Sequence, residues 1–249
     1  MFNFTAMKNT SLIDAINYRR SIRIYDETKE IDSEIVKKCI QHATLAPNSS
    51  NMQLWEFHHI TSKNTLAEIA NACLGQSAAT TAKEMVVIVV RKDLWKKRVK
   101  SHINYLTNLF GIKPKEHYTN REKFALNYYK KIIPFAYGDF LGIFGFIKYL
   151  ISWFIGVFKP SYRQLRKSDM RVVAHKSAGL AAQTFMLSMA AENYDTCPME
   201  GIDSLRIKKI LNLPFQCEIN MVISCGIRKP EGVYGERFRI PFSTIYKQW

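Results

Sequence analysis

Apolar and polar residues alternate along this chain with two periods, and the period assigns the elements. In residues 11–18, Leu12, Ile13 and Ile16 share one helical face, and Ser11 and Asp14 have the spacing of a capping pair. A second helix, roughly residues 33–46, is predicted from the stripe Ile35, Val36, Cys39, Ile40 and Ala43; Asp32 caps it and it stops before Pro47. Residues 46–51 are a polar loop, residues 55–61 alternate loosely as a strand, and residues 64–73 read as a helix. The runs 84–90 and 219–225 are predominantly apolar, as in central strands buried on both faces. A long helix rich in Ala, Leu and Met is expected over 172–192. Helices and strands mix without strict alternation, so the pattern predicts a single α+β domain over 1–249.

One stretch does not fit a compact domain. Between the strand at 84–90 and the helix at 172 the chain carries an insert at about 95–170. Within it, residues 140–158 are largely apolar, hold a single charge at Lys148 and are long enough to span a bilayer. Lys130, Lys131 and Lys159 flank this run, with Arg163, Arg166 and Lys167 beyond.

Composition changes the picture in two ways. The 47% apolar and 23% charged content belongs to a folded chain, and a net charge of +15 favours anionic partners: a phosphorylated cofactor, nucleic acid or an anionic membrane surface. Nucleic acid fits the charge but lacks a stacking motif of interleaved aromatic and basic residues. Five cysteines without a Cys-x-x-Cys pair read as reduced, mostly buried thiols of a cytoplasmic protein. No metal site is expected, because His58 and His59 are neighbours on a strand and point to opposite faces. The first residues lack the basic-then-apolar pattern of a signal peptide.

The chemistry concentrates in arginines. Arg19-Arg20-Ser21-Ile22-Arg23 places three permanent cations and a hydroxyl just after the first helix, a set suited to a phosphate or an electron-rich ring. Arg237 and Arg239, two apart, share one side of an extended segment and can clamp a phosphate.

With Ala46-Pro47-Asn48-Ser49-Ser50-Asn51-Met52-Gln53-Leu54-Trp55 and Thr196-Cys197-Pro198-Met199-Glu200-Gly201-Ile202-Asp203, these two clusters make four stretches whose order resembles the nitroreductase family of FMN-dependent oxidoreductases. The resemblance implies a central mixed or antiparallel sheet flanked by helices and a domain-swapped type of homodimer. It implies that Arg19, Arg20 and Ser21 hold the FMN phosphate and ribityl chain, with Arg237 and Arg239 closing on the phosphate. Arg23 would reach the pyrimidine side of the flavin, and Ser49, Asn51 and Gln53 would approach from the partner subunit. Pro198, Met199, Glu200 and Gly201 would pass the isoalloxazine, the Glu200 N–H near N5, and Gln76 would face the pyrimidine edge. No protein nucleophile is required. Leu54 stands where the family usually has proline, and Asn48 where serine is common, which bears on the geometry of that loop.

The implied reaction is a ping-pong cycle in which NADH or NADPH reduces the flavin and a nitroaromatic, quinone or related electron-poor small molecule reoxidises it. The alternatives are a reductive dehalogenase-like enzyme of the same family and a flavin-binding or membrane-associated module without turnover. A membrane crossing at 140–158 would put Arg19–Arg23 and Pro198–Gly201 on opposite sides. That segment is therefore expected to serve as a substrate lid, a dimer arm or a peripheral membrane contact.

Overall fold

Four antiparallel strands, β1 (Trp55–Ile60), β2 (Glu84–Val90), β3 (Asp195–Met199) and β4 (Glu218–Gly226), form one sheet in the order β1-β2-β4-β3. The structure is a computed structural model and describes residues 11–138 and 143–249. Strand β2 is central and buried along its whole length, and its register sets Trp55 opposite Val90 and Val86 opposite Ile223.

The two faces of β2 organise the interior. Met85, Val87 and Val89 pack with Ile69 of α3 (Lys63–Ala72) and Ile207 of α10 (Ser204–Ile210). Val86, Ile88 and Val90 pack on the other face against Val36, Cys39 and Ala43 of α2 (Ser33–Ala43) and against α9 (Lys167–Ala191). The alternation follows from the two-residue period of a strand. From α9 the contact side contributes Ala174, Ala178 and Ala182, followed by the larger Phe185, Met186 and Met189. Small side chains let α2 lie close to α9.

The predicted elements hold, with shifted ends. Helix α1 (Leu12–Tyr18) has the expected capping box of Ser11 and Asp14, but Leu12, Ile13 and Ile16 are exposed and only Ala15 is buried. Helix α2 ends at Ala43, three residues short of the expectation, because residues 44–46 turn through Leu45 N–H to His42 O and Ala46 N–H to Ala43 O. Helix α9 begins five residues before the expected 172. Asp169 accepts from the Arg166 N–H and guanidinium and so caps an earlier start. Segment 195–199, read from its motif alone, is an edge strand; Pro198 is tolerated there because an edge leaves one side of the strand unpaired.

After α4 (Ser77–Thr80) and β2, the insert is helical: α5 (Trp95–Phe110), α6 (Asn120–Asn127), a π-helical turn Tyr128–Ile132, α7 (Ile133–Tyr137) and α8 (Ile143–Phe158). Residues 140–142 of the apolar run lie outside the described residues. Among those described, no helix is long and apolar enough to cross a membrane. The chain ends with α11 (Phe242–Ile245) in an exposed arm that carries Phe238, Ile240, Phe242, Tyr246 and Trp249.

Candidate functional site

The segment after α1 is stitched to the edge of β3, and this determines where its arginines go. Ser21 bridges Thr196 in parallel, the Ile22 N–H donates to Thr196 O at 3.2 Å, and the Arg23 N–H donates to Gly232 O at 2.8 Å. Tyr25 continues the seam by bridging Arg228. Ile22 and Tyr25 are fully buried, whereas Ser21 and Arg23 face away from the core. The close fit of the seam needs glycine at Gly232, where an added Cβ would collide with the Ile24 carbonyl, and at Gly226, where it would lie 2.6 Å from the Tyr25 ring. An ion pair on the buried Asp195 anchors the same corner: the partly exposed Arg228 guanidinium donates to Asp195, lies over the Tyr18 ring at 4.2 Å and donates to Tyr18 O at 3.1 Å.

Arg19, Arg20, Ser21, Arg23, Arg237 and Arg239 line one cavity of about 260 Å³, with Tyr234, Glu236 and Phe238. The two arginine clusters, more than two hundred residues apart in sequence, therefore meet. Their donors are committed differently. Arg237 donates to the carbonyls of Asn17 at 2.9 Å and Arg19 at 2.7 Å, and to Ile16 O at 3.4 Å, tying the C-terminal segment to the unsatisfied end of α1. Arg20 donates to Gly235 O at 2.9 Å, and Arg239 to Phe238 O at 2.6 Å. Among the described residues, the Arg19 and Arg23 guanidiniums have no hydrogen-bond partner.

Electrostatically the cavity is a frustrated cation cluster. Burial, together with the nearby charges of Arg237 and Arg239, pushes the Arg19 pKa below its ordinary value. An anion seated in the cavity relieves that repulsion. Cys197 lies within reach of the charges of Arg23 and Arg19, yet burial outweighs them and raises its pKa, which keeps it a protonated thiol at neutral pH.

At the far end of β3, Gln76 donates to Gly201 O at 2.9 Å and to Cys73 O at 3.0 Å, which joins Gln76 to the Pro198–Gly201 segment. Met199 is buried; Glu200 and Gly201 are exposed. From Thr196 to Gly201 an extended chain covers about 16 Å, so the arginine cavity and the Gln76–Gly201 corner occupy opposite ends of one edge strand.

Ser49, Asn51 and Gln53 are not brought to this cavity within the chain. They sit in the 3₁₀ turn Ser49–Asn51 and just beyond it, packed on α9 through Ser49 N–H to Ser177 Oγ at 3.3 Å. Ser50, Asn51 and Gln53 have φ of 54°, 51° and 49°, an unusual run of left-handed non-glycine residues. Surrounding bonds enforce it. Tyr129 Oη donates to Ser50 O at 2.9 Å, Tyr128 Oη and Ser50 Oγ are 2.7 Å apart, and the Gln53 N–H donates to Asn48 Oδ1 at 2.9 Å. Strain held in place this way is a frequent mark of a functional loop. Here the π-helical turn of the insert holds it.

Sequence reasoning missed Tyr234 and Glu236 as cavity residues. Their one signal was position: they flank Gly235, whose φ of 70° turns the chain back toward α1. The two adjacent histidines face different carboxylates, His59 at 2.5 Å from Glu84 and His58 at 3.6 Å from Glu56.

Fold and cavity together define an α+β domain with an arginine-lined pocket at the edge of its antiparallel sheet. Residues 16–227 match the profile described as the Nitroreductase family, and the chain belongs to that family. It is 26% identical over 224 residues to DrgA of Synechocystis, covering 90% of this chain and 87% of DrgA. It is 22% identical to MhqN of Bacillus subtilis, provisionally named an NAD(P)H nitroreductase, over 92% of this chain and 95% of MhqN. The fold matches a protein of Exiguobacterium sibiricum solved in complex with FMN, with a TM-score of 0.67 at 21% identity over 98% of this chain and all of that one.

Proposed function

We propose that this chain is an FMN-dependent oxidoreductase that takes electrons from NADH or NADPH and passes them to a nitroaromatic, a quinone or a related electron-poor small molecule. The observation that carries the reading is the arginine cavity: cations from both ends of the chain converge on it, two of them with uncommitted guanidiniums. The donor set fits a phosphate, since fixed planar cations beside the Ser21 hydroxyl match a dianion that arrives with its own charge. FMN, when bound, supplies the hydride chemistry at its N5.

The chain's own residues divide the remaining work. Arg19, Arg20, Ser21 and Arg239 hold the phosphate end, and Arg237 fixes the segment that presents Arg239. Arg23, further along the β3 seam, would supply a permanent cation toward the ring of a bound flavin, a charge suited to holding electron density there. Gln76 and the Pro198, Met199, Glu200 and Gly201 segment bound the ring end. Ser49, Asn51 and Gln53 act across a homodimer, in the site of the partner subunit. The exposed apolar face of α1 and the unpacked C-terminal arm supply surface for that partner to cover. Five buried free thiols suit a reducing, cytoplasmic setting.

The test is spectroscopic. Purified chain reconstituted with FMN is expected to retain the yellow cofactor through gel filtration, and its flavin band should bleach anaerobically on addition of NADH or NADPH. Protein that stays colourless after incubation with excess FMN would overturn the reading.

A further inference from the structure

Helix α8 is built inside out. Its inward residues are Gly145, Lys148 and Ser152, spaced three and four apart on one face, and all are buried. The Lys148 ammonium donates to Phe135 O at 2.6 Å and Gly138 O at 2.7 Å, at the C-terminal end of α7. Ser152 Oγ donates to Tyr162 O and lies 2.6 Å from Ser161 Oγ. The outward side is apolar: Phe146, Leu150, Trp153, Phe154, Val157 and Phe158 are each roughly half exposed or more. A water-facing helix has the opposite arrangement, with its apolar stripe inward. The pattern of α8 specifies an apolar medium outside.

Its surroundings specify the kind of medium. Lys159 follows the helix directly, Lys130 and Lys131 precede it, and Lys167 lies beyond; all four are exposed, and none forms an ion pair among the described residues. A shallow depression brings Phe146 beside Lys92, Arg166, Lys167 and Arg171, with Glu218 as its one acid; Arg166 is paired with Asp169 and Arg171 with Glu218, and the Arg166 guanidinium lies 4.8 Å over the Tyr149 ring. Basic residues therefore outnumber acidic ones at the Phe146 end of the apolar face, and Lys159 adds a cation at its other end. The described part of the helix, Ile143–Phe158, is about 24 Å long, and its polar side is bonded to the end of α7 and to Ser161 and Tyr162, so it lies along the protein surface with only its apolar side turned outward. Aromatic residues with a basic rim are the pattern of a helix lying in the interface plane of an anionic membrane.

We propose that α8 docks the protein onto an anionic lipid surface, with its Phe146–Trp153–Phe154 side in the acyl boundary and the lysine rim on the headgroups. This surface is separate from the arginine cavity, and the inference does not depend on the cofactor.

Flotation of the full chain with vesicles tests it. The chain should float with phosphatidylcholine vesicles containing phosphatidylglycerol about tenfold or more better than with phosphatidylcholine alone, at roughly 1 kcal/mol per basic residue near the surface. The joint change Lys159→Gln and Lys167→Gln should remove most of that preference without altering the thermal melt. The joint change Trp153→Glu and Phe154→Glu should abolish flotation. Brominated acyl chains should quench part of the tryptophan emission of the unaltered chain, and less of it in Trp153→Phe; this measurement does not rely on a destabilising variant. Failure of the unaltered chain to float with anionic vesicles would overturn the proposal. So would a Trp153→Glu, Phe154→Glu protein that still floats but has lost a subunit by light scattering, because the face would then belong to a second copy.

Discussion

At the scale of single residues, the arginines of the cavity resemble one another in sequence and differ in what they touch. Arg237 gives its donors to three backbone carbonyls at the end of α1, whereas Arg19 has no protein acceptor and carries the repulsion of its neighbours. Removing each should have a distinct signature. Arg19→Ala is expected to weaken FMN binding by about 10- to 100-fold, the loss of a charge-assisted contact of roughly 1.5–3 kcal/mol, and to leave the melting temperature of the cofactor-free protein unchanged or raised. Arg237→Ala should lower that melting temperature, because the α1 carbonyls lose their donors. Fluorescence titration with FMN and thermal melts of the cofactor-free protein separate the two. Equal melting temperatures for both variants would refute the division of labour. Charge and spacing brought both arginines to notice in the sequence; the carbonyl contacts of Arg237 depend on where α1 ends and could not be read there.

At the scale of elements, α9 shows how much packing depends on small residues. Ala174, Ala178 and Ala182 face Val36, Cys39 and Ala43 of α2, and Ala178 is fully buried. Ala178→Leu would add a branched side chain where the helices leave no room, and should destabilise the fold by about 1–3 kcal/mol, read as a shift in the urea midpoint at constant slope. The core helices and strands were legible because their apolar residues point inward with the period of their element; β2 was recognised at its observed limits for that reason. Strand β3 was not, since Pro198 and the adjoining turn residues conceal an edge strand whose pairing comes from β4 and from the distant Ser21. The insert was legible only as an anomaly. Hydropathy registers that 140–158 is apolar, but it does not register that the few polar positions of α8 are the ones turned inward.

At the scale of the whole molecule, the residues proposed for the flavin site fall into two groups that one chain keeps apart. The arginine cavity and the Gln76–Gly201 corner share the β3 edge, while Ser49, Asn51 and Gln53 lie in a strained loop held by Tyr128 and Tyr129 of the insert and by α9. A dimer that exchanges loops turns this separation into a complete site, and complementation distinguishes that arrangement from a site built within one chain. In the proposed homodimer, Arg19→Ala and Asn51→Ala variants should each carry two impaired sites. When the two variant chains are co-expressed with different tags and the mixed dimer is isolated, one site receives both substitutions and the other neither. FMN titration of the mixed dimer should then show one site with unaltered affinity alongside one damaged site. In a site built within one chain, no intact site can form in the mixture, and uniformly weakened binding would rule out the exchange of the 49–53 loop between subunits.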